Sequence, residues 1–115
     1  MNREIKFRAK CKYTKEFIYG DLLHTLDGIR ICEEDGDYEI ISETIGQYTE
    51  QNDVNGDEIY EGMTVHQVAV LIGAPEIDFT GEVKFYAGSW WIDNKKDAVL
   101  LFNEACENTI ITGEE

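Results

Sequence analysis

Apolar and polar residues alternate along this chain in short runs, and turn-forming residues break the runs every few positions. Between Arg3 and Ala9 the alternation is strict: Ile5, Phe7 and Ala9 share one face and Lys6 and Arg8 the other, the period of a half-buried strand. Tyr13 to Glu16 turns the chain. Phe17, Ile18 and Tyr19, followed by Leu22 and Leu23, resume an extended pattern around Gly20, so a first hairpin is expected. Thr25 to Gly28 is a second turn signal and Ile29 to Cys32 a short strand; the five acids between Glu33 and Glu39 then predict a surface connection.

From Ile45 to Met63 the pattern reads as a strand, a polar loop, a tight turn and a second strand entry. Asn55-Gly56 is its strongest turn signal, because both residues accept the positive φ of a type I′ turn. Val65 to Ile72 is nearly all apolar, which predicts a strand buried on both faces, ended by Gly73, Ala74 and Pro75. Ile77 to Tyr86 is a long strand with Phe79, Val83 and Phe85 on one face and Gly81 as a bulge position. After the Ala87-Gly88 turn, Trp90 and Ile92 share a face and Trp91 points the other way. Lys95 to Cys106 fits either a short helix begun at Asp97 or a strand through Val99 to Phe102; the helix is expected. Asn108 to Thr112 reads as a final strand. So many short strands predict an all-β barrel or roll with additional N-terminal strands and at most one short helix. One domain is expected over 1–115, with a hairpin region about 1–44 and a barrel region about 45–112.

Charge changes this picture more than size does. A chain of 115 residues buries roughly 65% of the surface its unfolded form exposes, enough for a core without staples. The net charge is −14, and it is uneven: residues 1–20 hold six basic residues against two acids, whereas the remainder holds four against 22. A body this acidic repels nucleic-acid phosphate and anionic membranes, so neither is an expected partner, although Arg3, Lys6, Arg8, Lys10 and Lys12 form a candidate basic strip. Cys11, Cys32 and Cys106 are odd in number and lack zinc-ligand spacing, which predicts free thiols. No apolar run reaches ~18 residues, and a soluble cytoplasmic protein is expected.

The chain carries few signatures of chemistry. Asp53, Asn55 and Gly56 match three positions of an EF-hand loop, but Gln51 stands at its first acidic position and Gly62 at its twelfth, so a structural turn is favoured over calcium. His24 and His66 lack catalytic or ligand partners nearby, and no nucleophile elbow, Walker loop, dinucleotide fingerprint or zincin motif occurs. No cofactor or metal is expected. Tyr48, Tyr60, Tyr86 and Trp91 would serve as a base-stacking platform only with a basic frame, which their acidic surroundings lack. An exposed Trp91 instead points to a protein contact.

The residues Arg3-Glu4-Ile5-Lys6-Phe7-Arg8-Ala9, Ile18 to Leu22, Gly46-Gln47-Tyr48-Thr49, Asp53 to Gly62 and Gly81 to Phe85, in that order, resemble the YopX family of phage and prophage proteins. The family usually has Gly where Glu50 stands and Asp where Met63 stands. The resemblance implies a mainly β fold with an SH3-like barrel or roll, a phage or prophage origin, and no assigned activity to carry over to any residue. It also implies that Asp53 to Gly62 is first a structural turn and secondarily a recognition loop.

The expectation is therefore a non-enzymatic accessory protein that binds another protein, a host protein among the candidates, and self-associates through strand edges. Its candidate surface is Tyr48, Asp53, Asn55, Tyr60, Glu61 and Trp91. A nucleic-acid-related role is the alternative, either as an acidic DNA mimic acting on a host DNA-handling enzyme or as a weak binder through the basic strip. A small hydrolase or metal enzyme comes third.

Overall fold

The computed structural model describes residues 6–34, 36–73 and 75–111. They form two antiparallel sheets and one 3-10 turn at Ser42–Thr44, with no α-helix among the described residues. The chain is mainly β, and it divides into two compact units, Met1–Glu50 and Gln51–Glu115.

In the first unit β1 (Phe7–Lys10), β2 (Phe17–Thr25), β3 (Gly28–Glu33), β4 (Gly36–Glu39) and the start of β5 (Gly46–Asn52) lie in the order β4-β3-β2-β1-β5. Side-chain alternation puts Ala9, Ile31 and Ile40 on one face as a buried cluster, with Ile18, Leu22, Ile29 and Ile45 packed against it. Each such Ile removes apolar surface from water worth roughly 1.5–3 kcal/mol. Gly20 is required by packing: a Cβ there would lie 2.3 Å from the carbonyl oxygen of Cys32 on β3. The acidic stretch expected as a connection is largely strand. Tyr38 pairs with Ile31 and Glu39 with Arg30, and the acids of β4 find side-chain partners, Asp37 on Arg30 and Glu39 on Tyr13.

Across this unit Tyr13 Oη donates a hydrogen bond to Glu39 Oε1, joining the β1–β2 turn to β4. That donor holds the Glu39 carboxyl below its ordinary pKa, and the same carboxylate, as acceptor and as charge, raises the Tyr13 phenol. The stabilisation is therefore lost at both ends of the pH scale. It fades as pH falls through the depressed Glu39 pKa and as pH rises through the elevated Tyr13 pKa. In Tyr13→Phe the Glu39 titration is expected to move upward, toward an ordinary glutamate, as read from its carboxyl carbon shift. An unmoved titration would contradict the contact.

In the second unit β6 (Glu58–Tyr60) precedes a five-stranded sheet of β7 (Thr64–Ala69), β8 (Asp78–Tyr86), β9 (Ser89–Asp93), β10 (Ala98–Leu100) and β11 (Cys106–Ile110), in the order β10-β9-β8-β7-β11. The order is open, ending at β10 and β11. Ile59, Val65, Val83, Ile92 and Leu101 form its buried core, flanked by Phe79, Trp90, Val99 and Ile110. Two expectations are corrected here. Lys95 to Cys106 holds no helix: Val99 pairs with Ile92 and Leu100 with Trp91, so the segment extends the sheet instead. The strand expected to be buried on both faces alternates, with Val65 and Gln67 inward, and stops at Ala69; Val70, Leu71 and Ile72 are exposed beyond it.

The loop from Asp53 is a structural joint of this unit. Asp53 Oδ1 accepts hydrogen bonds from the backbone N–H groups of Asn55 (2.9 Å) and Asp57 (3.0 Å), and Oδ2 accepts from that of Ile110 (3.1 Å). Val54 N–H donates to the Asn108 carbonyl, so the loop occupies part of the outer edge of β11. Only Gly56 takes positive φ (86°) in this turn. Asn55 does not, because the Asp53 carboxylate organises the turn through the backbone N–H groups instead.

Candidate functional site

The β8–β9 hairpin closes through Ala87 and Gly88, whose φ values of 51° and 76° are those of a two-residue I′ connection. That turn fixes the register: Tyr86 faces Ser89, Phe85 faces Trp90, and Lys84 faces Trp91. Because faces alternate, Phe85 and Trp90 fall on the core side and meet edge to face at 4.9 Å. Tyr86 and Trp91 fall on the opposite side.

There the two rings stack nearly parallel, 13° apart with centroids at 5.5 Å. Trp91 Nε1 donates to the Tyr86 carbonyl (2.8 Å), and Tyr86 Oη donates to Asp93 Oδ2 (3.3 Å). Burial and the nearby Asp93 carboxylate raise the Tyr86 phenol above its ordinary pKa. Both polar handles of the pair are thus engaged, and what the pair offers outward is π surface; Tyr86 is 41% exposed. Leu100 lies opposite Trp91 on β10, and Glu82 lies opposite Asp93. Farther along the same face His66 Nε2 lies 2.7 Å from Asp78 Oδ1.

The expected surface is only partly brought together. Tyr48 (7% exposed), Asp53 (7%) and Tyr60 (1%) are buried, so they do not form a contact surface. Their roles are internal: Tyr60 Oη donates to Glu58, and Lys6 sits over the Tyr48 ring. Asn55 is exposed at the turn, and Glu61 and Trp91 are half-buried. Of the four aromatics considered as a platform, only Tyr86 joins Trp91. Its partnership was readable from the Ala87-Gly88 turn, which sets which residues of the two strands meet.

Part of the basic strip lies against aromatic rings. Arg8 is 5% exposed with its guanidinium 3.7 Å from the Phe17 ring centroid, and Lys10 lies over the same ring at 5.4 Å. Lys12 is exposed, and Arg3 lies outside the described residues. A cleft of about 290 Å³ in the first unit is lined by Lys12, Asp27, Arg30, Glu39 and Glu43. Two of these residues have partners outside the lining: Arg30 pairs with Asp37 at 2.8 Å, and Glu39 accepts a hydrogen bond from Tyr13.

Backbone N–H groups of Thr14 and Tyr13 lower the Cys11 thiol pKa, but the residue is 6% exposed. Burial raises that of Cys106, and Cys32 is exposed. Among the described residues no group of His, Cys, Asp or Glu is arranged to hold a metal, and no helix is long and apolar enough to cross a membrane. No family model, curated protein or solved structure matches the chain significantly.

Proposed function

We propose that this chain is a YopX-like accessory protein of a phage or prophage, acting in the host cytoplasm by binding another protein and not by catalysis. The observation that carries the reading is the Tyr86–Trp91 stack on the face of the second sheet opposite its core, with both rings' polar groups held in hydrogen bonds. A preformed aromatic surface of this kind loses little side-chain freedom on docking.

Two features support the family. A four-strand meander whose fifth strand returns beside the first, β11-β7-β8-β9-β10, is the arrangement an SH3-like roll requires. Glu50, where the family carries Gly, has a φ of 69°, a left-handed conformation that favours Gly. Glu50→Gly is therefore expected to raise stability by about 1 kcal/mol in urea unfolding, and Glu50→Val to lower it. Equal stability of the two variants would remove this support.

A second reading, DNA mimicry, is favoured by the charge of residues 51–115, which hold 13 acids against three lysines. The engagement of Lys6, Arg8 and Lys10 with aromatic rings argues for mimicry over direct nucleic-acid binding.

Affinity capture from host lysate at low and physiological salt tests the proposal, with bound protein and nucleic acid both identified. Reproducible recovery of one host protein at physiological salt supports it, and capture of a basic DNA-handling protein lost on adding salt favours the mimic. A chain that stays monomeric and retains no host protein overturns it.

A further inference from the structure

We infer that the open face of the second sheet, built on Tyr86, Trp91, Glu82 and Asp93, binds an arginine-bearing basic segment of a partner protein. The inference rests on the protein-contact reading above and adds the chemistry of the partner.

Three properties of the face select that partner. The first is the stacked pair itself: with the indole N–H bonded to the Tyr86 carbonyl and the phenol O–H to Asp93, the rings have π surface left for a ligand, and its quadrupole attracts cations. The second is charge. Glu82 is exposed opposite Asp93, Asp78 and Glu107 project from the same side, and Lys84 is the one lysine or arginine on the strands of that face among the described residues, with Lys95 and Lys96 in the adjoining β9–β10 turn. The surrounding unit carries −10, so phosphate is repelled and a basic segment is drawn in. The third is shape. Two near-parallel rings beside carboxylates suit a guanidinium, which stacks through its plane while its edge donates hydrogen bonds; an ammonium offers a point charge and no plane.

The test titrates the full chain, followed by amide and indole N–H resonances, with an arginine octapeptide, a lysine octapeptide and a glutamate octapeptide. The arginine peptide is expected to shift the Trp91 indole N–H and the amides of Lys84, Tyr86 and Asp93. It should bind severalfold more tightly than the lysine peptide of equal charge, and the glutamate peptide should not bind. Trp91→Thr keeps a strand-favouring residue and is expected to weaken the arginine peptide about tenfold. Glu82→Gln, a change of one exposed charge, should weaken it less and flatten its salt dependence; it serves equally if Trp91→Thr fails to fold.

Equal binding of the two basic peptides, with neither variant altering it, would reduce the effect to diffuse charge and overturn the site. A host protein captured equally by wild type and both variants would overturn the site too, while leaving the contact reading in place. Conversely, arginine-selective shifts at Trp91 with no host protein captured would keep the site and remove that reading.

Discussion

Gln67→Glu is expected to cost the second unit about 4 kcal/mol. Gln67 is fully buried on the core side of β7, and its Nε2 donates to the carbonyls of Leu100 (3.1 Å) and Leu101 (3.3 Å) and to Asn108 Oδ1 (3.0 Å). One amide group therefore ties the segment after β10 and the side chain of β11 to the middle of the sheet. A carboxylate in its place would aim negative oxygen at three acceptors without solvent, losing the donors and adding repulsion. The deficit has a definite pH sign. A buried carboxyl surrounded by acceptors has its pKa raised above the unfolded value, so the variant is least impaired in acid and loses stability as pH rises. Gln67→Met keeps the length of the side chain and removes the amide oxygen, which has no hydrogen-bond partner. Asn108 Nδ2 still donates to the Leu101 carbonyl at 3.0 Å, so that variant should lose only about 1–2 kcal/mol. Both tryptophans belong to this unit, which makes their fluorescence in urea the direct readout. Equal losses for the two variants would contradict the donor role.

Asp53→Ala is expected to cost about 3 kcal/mol, from the loss of three hydrogen bonds to a largely buried carboxylate. The loss should be visible locally: the amides of Asn55, Asp57 and Ile110 would exchange faster than in wild type, ahead of the amides of β8 and β9. Asp53→Asn keeps one acceptor oxygen but turns an NH2 group toward a backbone donor, so it should recover only part of the difference. A change below about 0.5 kcal/mol on Asp53→Ala would mean that the loop does not depend on this side chain.

These two residues also mark where sequence reasoning stops. That Asp53 to Gly56 is a turn was legible from its residue types. That the carboxylate reaches Ile110, 57 positions later, was not, because nothing local to Asp53 encodes a bond to another strand. Gln67 sits in an apolar run that suggested a strand buried on both faces, and the backbone partners that make its burial tolerable come from Leu100 and Leu101. The same nonlocal pairing decides Val99 and Leu100, whose short apolar run serves helix and strand equally until β9 supplies a ladder.

Alternation located the N-terminal hairpin and the opposed faces of Trp90 and Trp91, since those depend only on the period of two. Alternation did not separate a buried Tyr48 or Tyr60 from an exposed Tyr86, for aromatic residues serve cores and surfaces alike. Nor did the charge of Arg8 reveal that its guanidinium stacks on Phe17, a contact set by the β1–β2 register.

We propose that the chain works through the face bearing Tyr86 and Trp91. The most direct test maps amide and indole resonances of the full chain against the host protein recovered by affinity capture. The shifts are expected to concentrate on Glu82, Lys84, Tyr86, Trp91 and Asp93, and Trp91→Thr is expected to abolish them. Shifts centred on the Asn55 turn, the exposed Val70 to Ile72 segment or the first unit, unaffected by Trp91→Thr, would contradict it.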